Sequence, residues 1–250
     1  MSITSKRLLA AAFVLSSVTS AAAQTADEVV EKTLTALGGR AALAKITSRS
    51  ATGTMTVSTP AGDIGGSIEV LNQAPNKSRT LITLDLTAVG AGSMVIDQRF
   101  DGTSGYAIDT MRGNHDITGG QLELMKQNFF PSPFLSYKER GTKIELGTKD
   151  KVGDREAYVL NVTPASGIPS HVFIDAQSFL PIKTVVTVTL PEVGEIEQTI
   201  ELSDFRDVDG VQVAFKLRGS SAVQTFTTVL TKVQHNVKID EALFAKPAEK

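Results

Sequence analysis

From Ser48 to the end of the chain's last strand-like run, apolar residues recur at every second position, and turn-forming residues separate one run from the next. A period of two sends successive side chains to opposite faces of a strand, and short connections join neighbouring strands antiparallel. The chain is thereby committed to a mainly β (α+β) fold. Met55 and Val57 alternate with Thr54 and Thr56, and a turn at 60–63 follows. Further runs lie at 64–72, 79–86, 93–100 and 106–111, with Asp101-Gly102 as a hairpin signal between the last two. The second half reads as strands at 143–148, 157–163, 171–175, 181–190, 195–203, 211–218 and 223–233. Val211, Val213, Phe215 and Leu217 face one way while Gln212, Lys216 and Arg218 face the other, so that strand has one dry and one wet face. The tally is eleven or twelve strands. No internal repeat of about 20 to 50 residues suggests a propeller or solenoid, and no linker divides residues 24–250, which are expected to form a single domain.

Two places break the β pattern. Thr25-Ala26-Asp27-Glu28 is a capping box, and Val29, Val30, Leu34 and Leu37 then recur at helical spacing until Gly38-Gly39 stops the run. Near the midpoint, Thr118 is placed to cap a helix with Leu122, Met125 and Phe129 along one side. Pro131 breaks it, and Ser132 is placed to cap a second short helix carrying Phe134, Leu135 and Tyr137, ended by Gly141. A short helical turn is expected near Phe244.

The first 23 residues have a secretory pattern: Lys6 and Arg7, an apolar run at 8–18, then Ala21-Ala22-Ala23 before Gln24. That run is far shorter than the ~20 residues a membrane span needs. We therefore expect cleavage after Ala23, a periplasmic mature chain that is not integral to a membrane, and a monomer. Loss of Lys6 and Arg7 takes the formal charge from −2 to −4, which gives no general attraction to nucleic acid. The lysines and arginines are also dispersed, so no nucleic-acid partner is expected. With no cysteine in the chain, disulfides, thiolate metal sites and N-terminal acylation at a cysteine are all excluded.

The search for catalytic chemistry finds little. His115, His171 and His235 sit on separate segments, with no H-E-x-x-H pair. No Ser stands in a strand-to-helix elbow, and no Gly-rich loop leads into a helix that could hold a phosphate. Asp204, Asp207 and Asp209 lack the Gly and Glu of a calcium loop. The expectation is a protein without catalysis, metal or cofactor; an enzyme would have to use His115 or an acidic cluster in a cleft. An outer-membrane barrel is disfavoured by zero Trp and three Tyr, too few for aromatic girdles. A bent sheet of more than about eight strands encloses more room than its own side chains fill. Such a hollow is plugged or holds a ligand, and the helices at 25–37 and 118–141 are the available plugs.

In element order, residues 25–246 resemble the LolA/LolB-type periplasmic lipoprotein-sorting carriers and their wider superfamily. The resemblance rests on Phe100-Asp101-Gly102, on the 153–158 turn, on Phe173-Ile174-Asp175 leading to Leu180-Pro181, on 202–206, and on Ile239-Asp240 through Phe244. It implies an unclosed antiparallel β-barrel of about eleven strands with an N-terminal helix and a mid-chain helical lid. It also implies a non-enzymatic carrier of lipid or acylated lipoprotein, or alternatively an envelope sensor that binds a protein partner. Leu122, Met125, Phe129, Phe130 and Phe134 would form the lid, with Val30 and Leu34 beside them. Met94, Ile96, Phe215 and Leu217 would face the hollow. The chain departs from the sorting carriers in having no Trp, which widens the expected cargo to apolar ligands in general.

Overall fold

The computed structural model describes residues 24–60, 62–190, 194–222 and 224–248. The expected signal segment at 1–23 lies outside the described residues. The first helix, α1 (Ala26–Ala36), starts at the capping box. Glu28 N donates to Thr25 Oγ1 at 3.2 Å and Thr25 N donates to Glu28 Oε2 at 3.0 Å, so amides that the helix leaves without partners are satisfied locally. One stripe of α1, formed by Val29, Val30 and Leu34, is at most 1% exposed. Gly38 ends the helix at φ +119°, and a β-carbon there would lie 2.3 Å from the Gly210 carbonyl oxygen. Only glycine suits both the backbone angle and that approach. A single further turn, α2 (Arg40–Leu43), leads into the sheet.

The sheet begins with β1 (Ser48–Thr59), β2 (Gly62–Gln73), β3 (Lys77–Asp85), β4 (Ser93–Phe100), β5 (Gly105–Asp109) and β6 (His115–Ile117). After α3 (Gly119–Gln127) come β7 (Lys143–Leu146), β8 (Asp150–Val152), β9 (Arg155–Thr163), β10 (Ser170–Asp175) and β11 (Pro181–Leu190). The last three are β12 (Gly194–Val208), β13 (Val211–Ser221) and β14 (Thr225–His235). The spatial order is β6-β5-β4-β3-β2-β1-β14-β13-β12-β11-β10-β9-β7, with β8 beside β9 off this path. The chain thus starts at the middle of the sheet and meanders to one edge. It crosses to the opposite edge and meanders back until β14 pairs with β1, antiparallel. The two edges, β6 and β7, do not pair, so the barrel is unclosed. The segment that joins them contains α3 and is laid across the gap by topology alone.

The described residues form fourteen strands, two more than the twelve runs read from the sequence. The extra two are β6 and β8, three residues each, too short to show an alternation. The mid-chain helix also differs: α3 ends at Gln127, so Phe129 lies beyond it, and the Thr118 hydroxyl makes no capping bond. The expected second helix after Ser132 is a run of turns held by Gly141 N to Lys138 O at 2.9 Å and Thr142 N to Tyr137 O at 2.9 Å. Phe134 N donates to Ser132 Oγ at 3.3 Å, so Ser132 does cap a turn, but no α-helix follows it.

Two apolar clusters hold the sheet. The larger lies on its inner face, where Val29, Val30 and Leu34 of α1 pack with Phe134, Tyr137, Leu160, Ile174, Val211 and Phe215. The smaller joins Ala157, Phe173, Ile182 and Val185, with Val152 of the β8 hairpin packed against it. Phe173 and Val185 alternate with the inner-facing Val172 and Thr184, so β8 covers apolar side chains on the outer face.

Candidate functional site

The antiparallel register assembles the inner face in rows. Gly53, Ile68, Ile82 and Ile96 lie across one another on β1 to β4. On the other side of the seam, Ile200, Thr184, Val172, Leu160 and Leu146 form a row across β12, β11, β10, β9 and β7. Where α1 covers this face, it is solid. Beyond α1 it is hollow: a cavity of about 1030 Å³ lies between the sheet and the crossing segment. That volume is at the upper end of the ~300–1,000 Å³ typical of small-molecule sites. Its walls include Ile68, Val70, Val172, Val186, Ile200 and Leu217, and its roof runs from Glu123 to Arg140. Gly219 belongs here because a β-carbon would lie 2.2 Å from the Phe226 ring; its absence lets that cavity-lining ring lie against the strand.

The roof is held unevenly. Its later half is tied to α1 and α2: Tyr137 Oη donates to Asp27 Oδ1, Lys138 Nζ donates to Asp27 Oδ2 at 2.6 Å, and Arg40 Nη1 donates to the Leu135 carbonyl at 2.8 Å. Phe134 and Tyr137 are each 5% exposed. The earlier half, α3, contains no fully buried residue. It is fastened mainly by Gln127, whose side chain exchanges two hydrogen bonds with the Ile168 backbone at 2.9 and 3.1 Å. Two guanidiniums stack on the aromatics between the halves. Arg140 lies 3.8 Å from the Phe129 ring centre and Arg49 lies 5.1 Å from that of Phe130.

Arg49 enters the cavity from β1. Burial pulls its pKa below the usual guanidinium range, to about 10. Its Nε donates to His235 Nε2 at 3.1 Å, a bond that requires the neutral imidazole with its proton on Nδ1. His235 Nδ1 lies 3.3 Å from Asp209 Oδ2 but makes no hydrogen bond with it. Burial lowers the His235 pKa and the nearby Arg49 charge lowers it further, against the opposing pull of Asp209.

The residues expected at the site divide into three groups. Phe129, Phe134 and Leu217 line the cavity together. Val30, Leu34 and Phe215 sit in the packed core under α1, as Phe134 also does in part. Met94, Ile96, Leu122, Met125 and Phe130 are half-buried and do not line the cavity. Met94 and Ile96 nevertheless share the inner-face register with Leu84 and Ile82. Leu122 lies over Gly105 instead, and Phe130 packs at the margin of the core. The walls supplied by β2, β10, β11 and β12, and the Arg49 side chain, had not been singled out from sequence. Their inner positions include Thr184, Ser170 and Gln198, whose polarity hides the dry face.

No family model matches the sequence, and no curated protein matches it. Solved structures do. A LolA superfamily protein from Nitrosomonas europaea superposes with a TM-score of 0.56 at 13% identity, over 90% of this chain and 99% of that one. The fold is LolA-like. A DUF1329 family protein from Desulfovibrio piger gives a TM-score of 0.56 at 11% identity, over 88% of this chain and 97% of its own. A putative outer membrane lipoprotein-sorting protein domain from Vibrio parahaemolyticus gives 0.52 at 11% identity, over 87% and 94%. Against the LolA-like architecture, this chain keeps the unclosed sheet, the N-terminal helix and a mid-chain covering segment.

Proposed function

We propose that this chain is a periplasmic carrier that shelters the acyl chains of a lipid or an acylated lipoprotein in the cavity beneath α3. The observation that carries the reading is an unfilled, mostly apolar space of about 1030 Å³ roofed by a helix with no fully buried residue. Each methylene moved out of water is worth about 0.8 kcal/mol, so a ~16-carbon chain requires on the order of 12 kcal/mol of shelter. The roof must also move for cargo to enter. Phe129, Phe134 and Leu217 would touch the chain directly, and Leu122, Met125 and Phe130 would move with α3. Met94 and Ile96 would extend the apolar surface toward β4, while Val30, Leu34 and Phe215 would hold the floor.

The likeness to a lipoprotein-sorting domain supports the same class of cargo. The signal pattern at 1–23 supports export with cleavage after Ala23, and no helix among the described residues is long and apolar enough to cross a membrane. The mature protein would act as a monomer, without catalysis or cofactor. Native mass spectrometry of the protein purified from a bacterial periplasm should detect bound lipid. Bare protein that also fails to bind a fluorescent fatty acid would overturn the proposal.

A further inference from the structure

We propose that Arg49 is an anchor for an oxyanion, so that the preferred cargo is an amphiphile with an acidic carboxylate or phosphate head beside its alkyl tail. The inference rests on the carrier reading and narrows it to one chemical class.

Of the three cations that line the cavity, Arg49 and Arg140 have no carboxylate within ion-pair distance among the described residues, and Arg49 is the one held on the sheet, below the roof. Lys126 is paired with Glu123 at 2.9 Å. Arg140 donates through Nη2 to the Pro133 carbonyl and lies at the roof. Arg49 spends only Nε, on a neutral imidazole. Both of its Nη groups are without an acceptor among the described residues, and no carboxylate lies within ion-pair distance of its guanidinium. These nitrogens are not sealed in protein, because the residue lines the cavity. A half-buried cation with two unused donors and no counter-ion is costly for a fold to maintain. The planar fork matches a carboxylate or phosphate, which it can grip through two parallel hydrogen bonds. The His235 side chain, 1% exposed, backs Arg49 from β14 and accepts its Nε–H. Asn72, directly across from Arg49 on β2, lines the cavity too and offers a further polar contact for a head group.

The apolar walls lie on from this point. Along β1 the inner face passes from Arg49 to Ala51, and the strands beside it supply Val70 and Leu230. A tail whose head sits at Arg49 would therefore run into greasy surface without burying a second charge.

The test compares ligands with one tail and different heads, below their micelle concentrations, on delipidated mature protein. Affinities of hexadecanoate, hexadecyl phosphate, hexadecanol and hexadecyltrimethylammonium are measured by displacement of a fluorescent fatty acid and by calorimetry. Wild-type protein is expected to hold at least one acidic ligand tenfold or more above hexadecanol, and to reject the cation. The stronger of hexadecanoate and hexadecyl phosphate identifies the source of the oxyanion. Arg49→Gln should bring both acidic ligands down to the affinity of hexadecanol, and Arg49→Lys should recover part of the preference. Equal wild-type affinity for hexadecanol and both acidic ligands overturns the anchor and spares the carrier reading. Preference retained in Arg49→Gln also overturns it. Should neither the alcohol nor the acids bind, both readings fall together. Equal wild-type affinities overturn the anchor whether or not the variants fold.

Discussion

One strand, β13, runs from a solid end of the molecule to a hollow one. Val211 and Phe215, 1% and 6% exposed, are packed against α1 and its neighbours, and Val213, 5% exposed, packs there and also borders the cavity. Leu217, two residues beyond Phe215 along the same face, borders the cavity. The sequence pattern is the same along the strand, yet Val211 and Phe215 are core while Leu217 is wall. The difference comes from the helix laid on each. The apolar stripe of α1 is completely buried, its first turn is capped by Thr25 and Glu28, and its end is locked against Gly210. By contrast, α3 has neither a side-chain cap nor a fully buried residue. An apolar face becomes core where a well-capped amphipathic helix fills it, and a cavity wall where the covering helix is weakly held.

The largest test of this contrast is truncation at the solid end. Leu34→Ala leaves a cavity in close-packed surroundings and should cost about 3 kcal/mol of unfolding free energy, measured by chemical denaturation, without changing ligand preference. If stability hardly falls, α1 is not the plug described. Second comes the anchored half of the roof. Tyr137→Phe removes the hydrogen bond to Asp27 and should cost about 1 kcal/mol, read in the same denaturation experiment. A smaller loss, under about 1 kcal/mol, is expected for Leu217→Ala, because part of that side chain already borders empty space. Its affinity for a fluorescent fatty acid should nevertheless fall several-fold. An unchanged affinity would place the ligand elsewhere.

The pH dependence sharpens the comparison from the cavity side. Burial holds the folded pKa of His235 below its unfolded value, so the unfolded chain takes up the proton first as pH falls. Stability contributed by the neutral imidazole is full above about 6.5. It is lost as pH drops from there toward the folded pKa, with a slope of at most about 1.4 kcal/mol per pH unit for one proton. Denaturation midpoints between pH 7.5 and 5 should show this slope in wild type and lose it in His235→Gln. The smallest effect on stability is expected at α3. Gln127→Ala removes the bonds to Ile168 and should shift global stability by less than about 1 kcal/mol, while amide exchange in 119–127 accelerates and exchange in α1 does not.

The elements that position the site were legible where local rules are strong. The capping box at Thr25, the glycine stop at Gly38 and the one-sided alternation of Val211 to Leu217 all appear in the fold as the residues dictate. Short or proline-interrupted elements were not legible. β6 and β8 have three residues each, and the helix expected after Ser132 is a run of turns. The site itself was only partly readable. Phe129 and Phe134 stood out by the local density of aromatics, and both line the cavity. Arg49, flanked by Ser48 and Ser50, reads as a wet-face residue. Only the antiparallel pairing of β1 with β2 and β14 turns it inward beside Asn72 and His235.

The route of the chain carries a mechanical consequence. Both free margins of the sheet, β6 and β7, are the two ends of the single segment that contains α3. Spreading the margins therefore pulls on that helix, and seating the helix limits how far they part. The cover works as a tether whose slack sets the widest gape of the mouth. Cutting the backbone within 119–130 would release that restraint while leaving every strand pairing of the sheet in place.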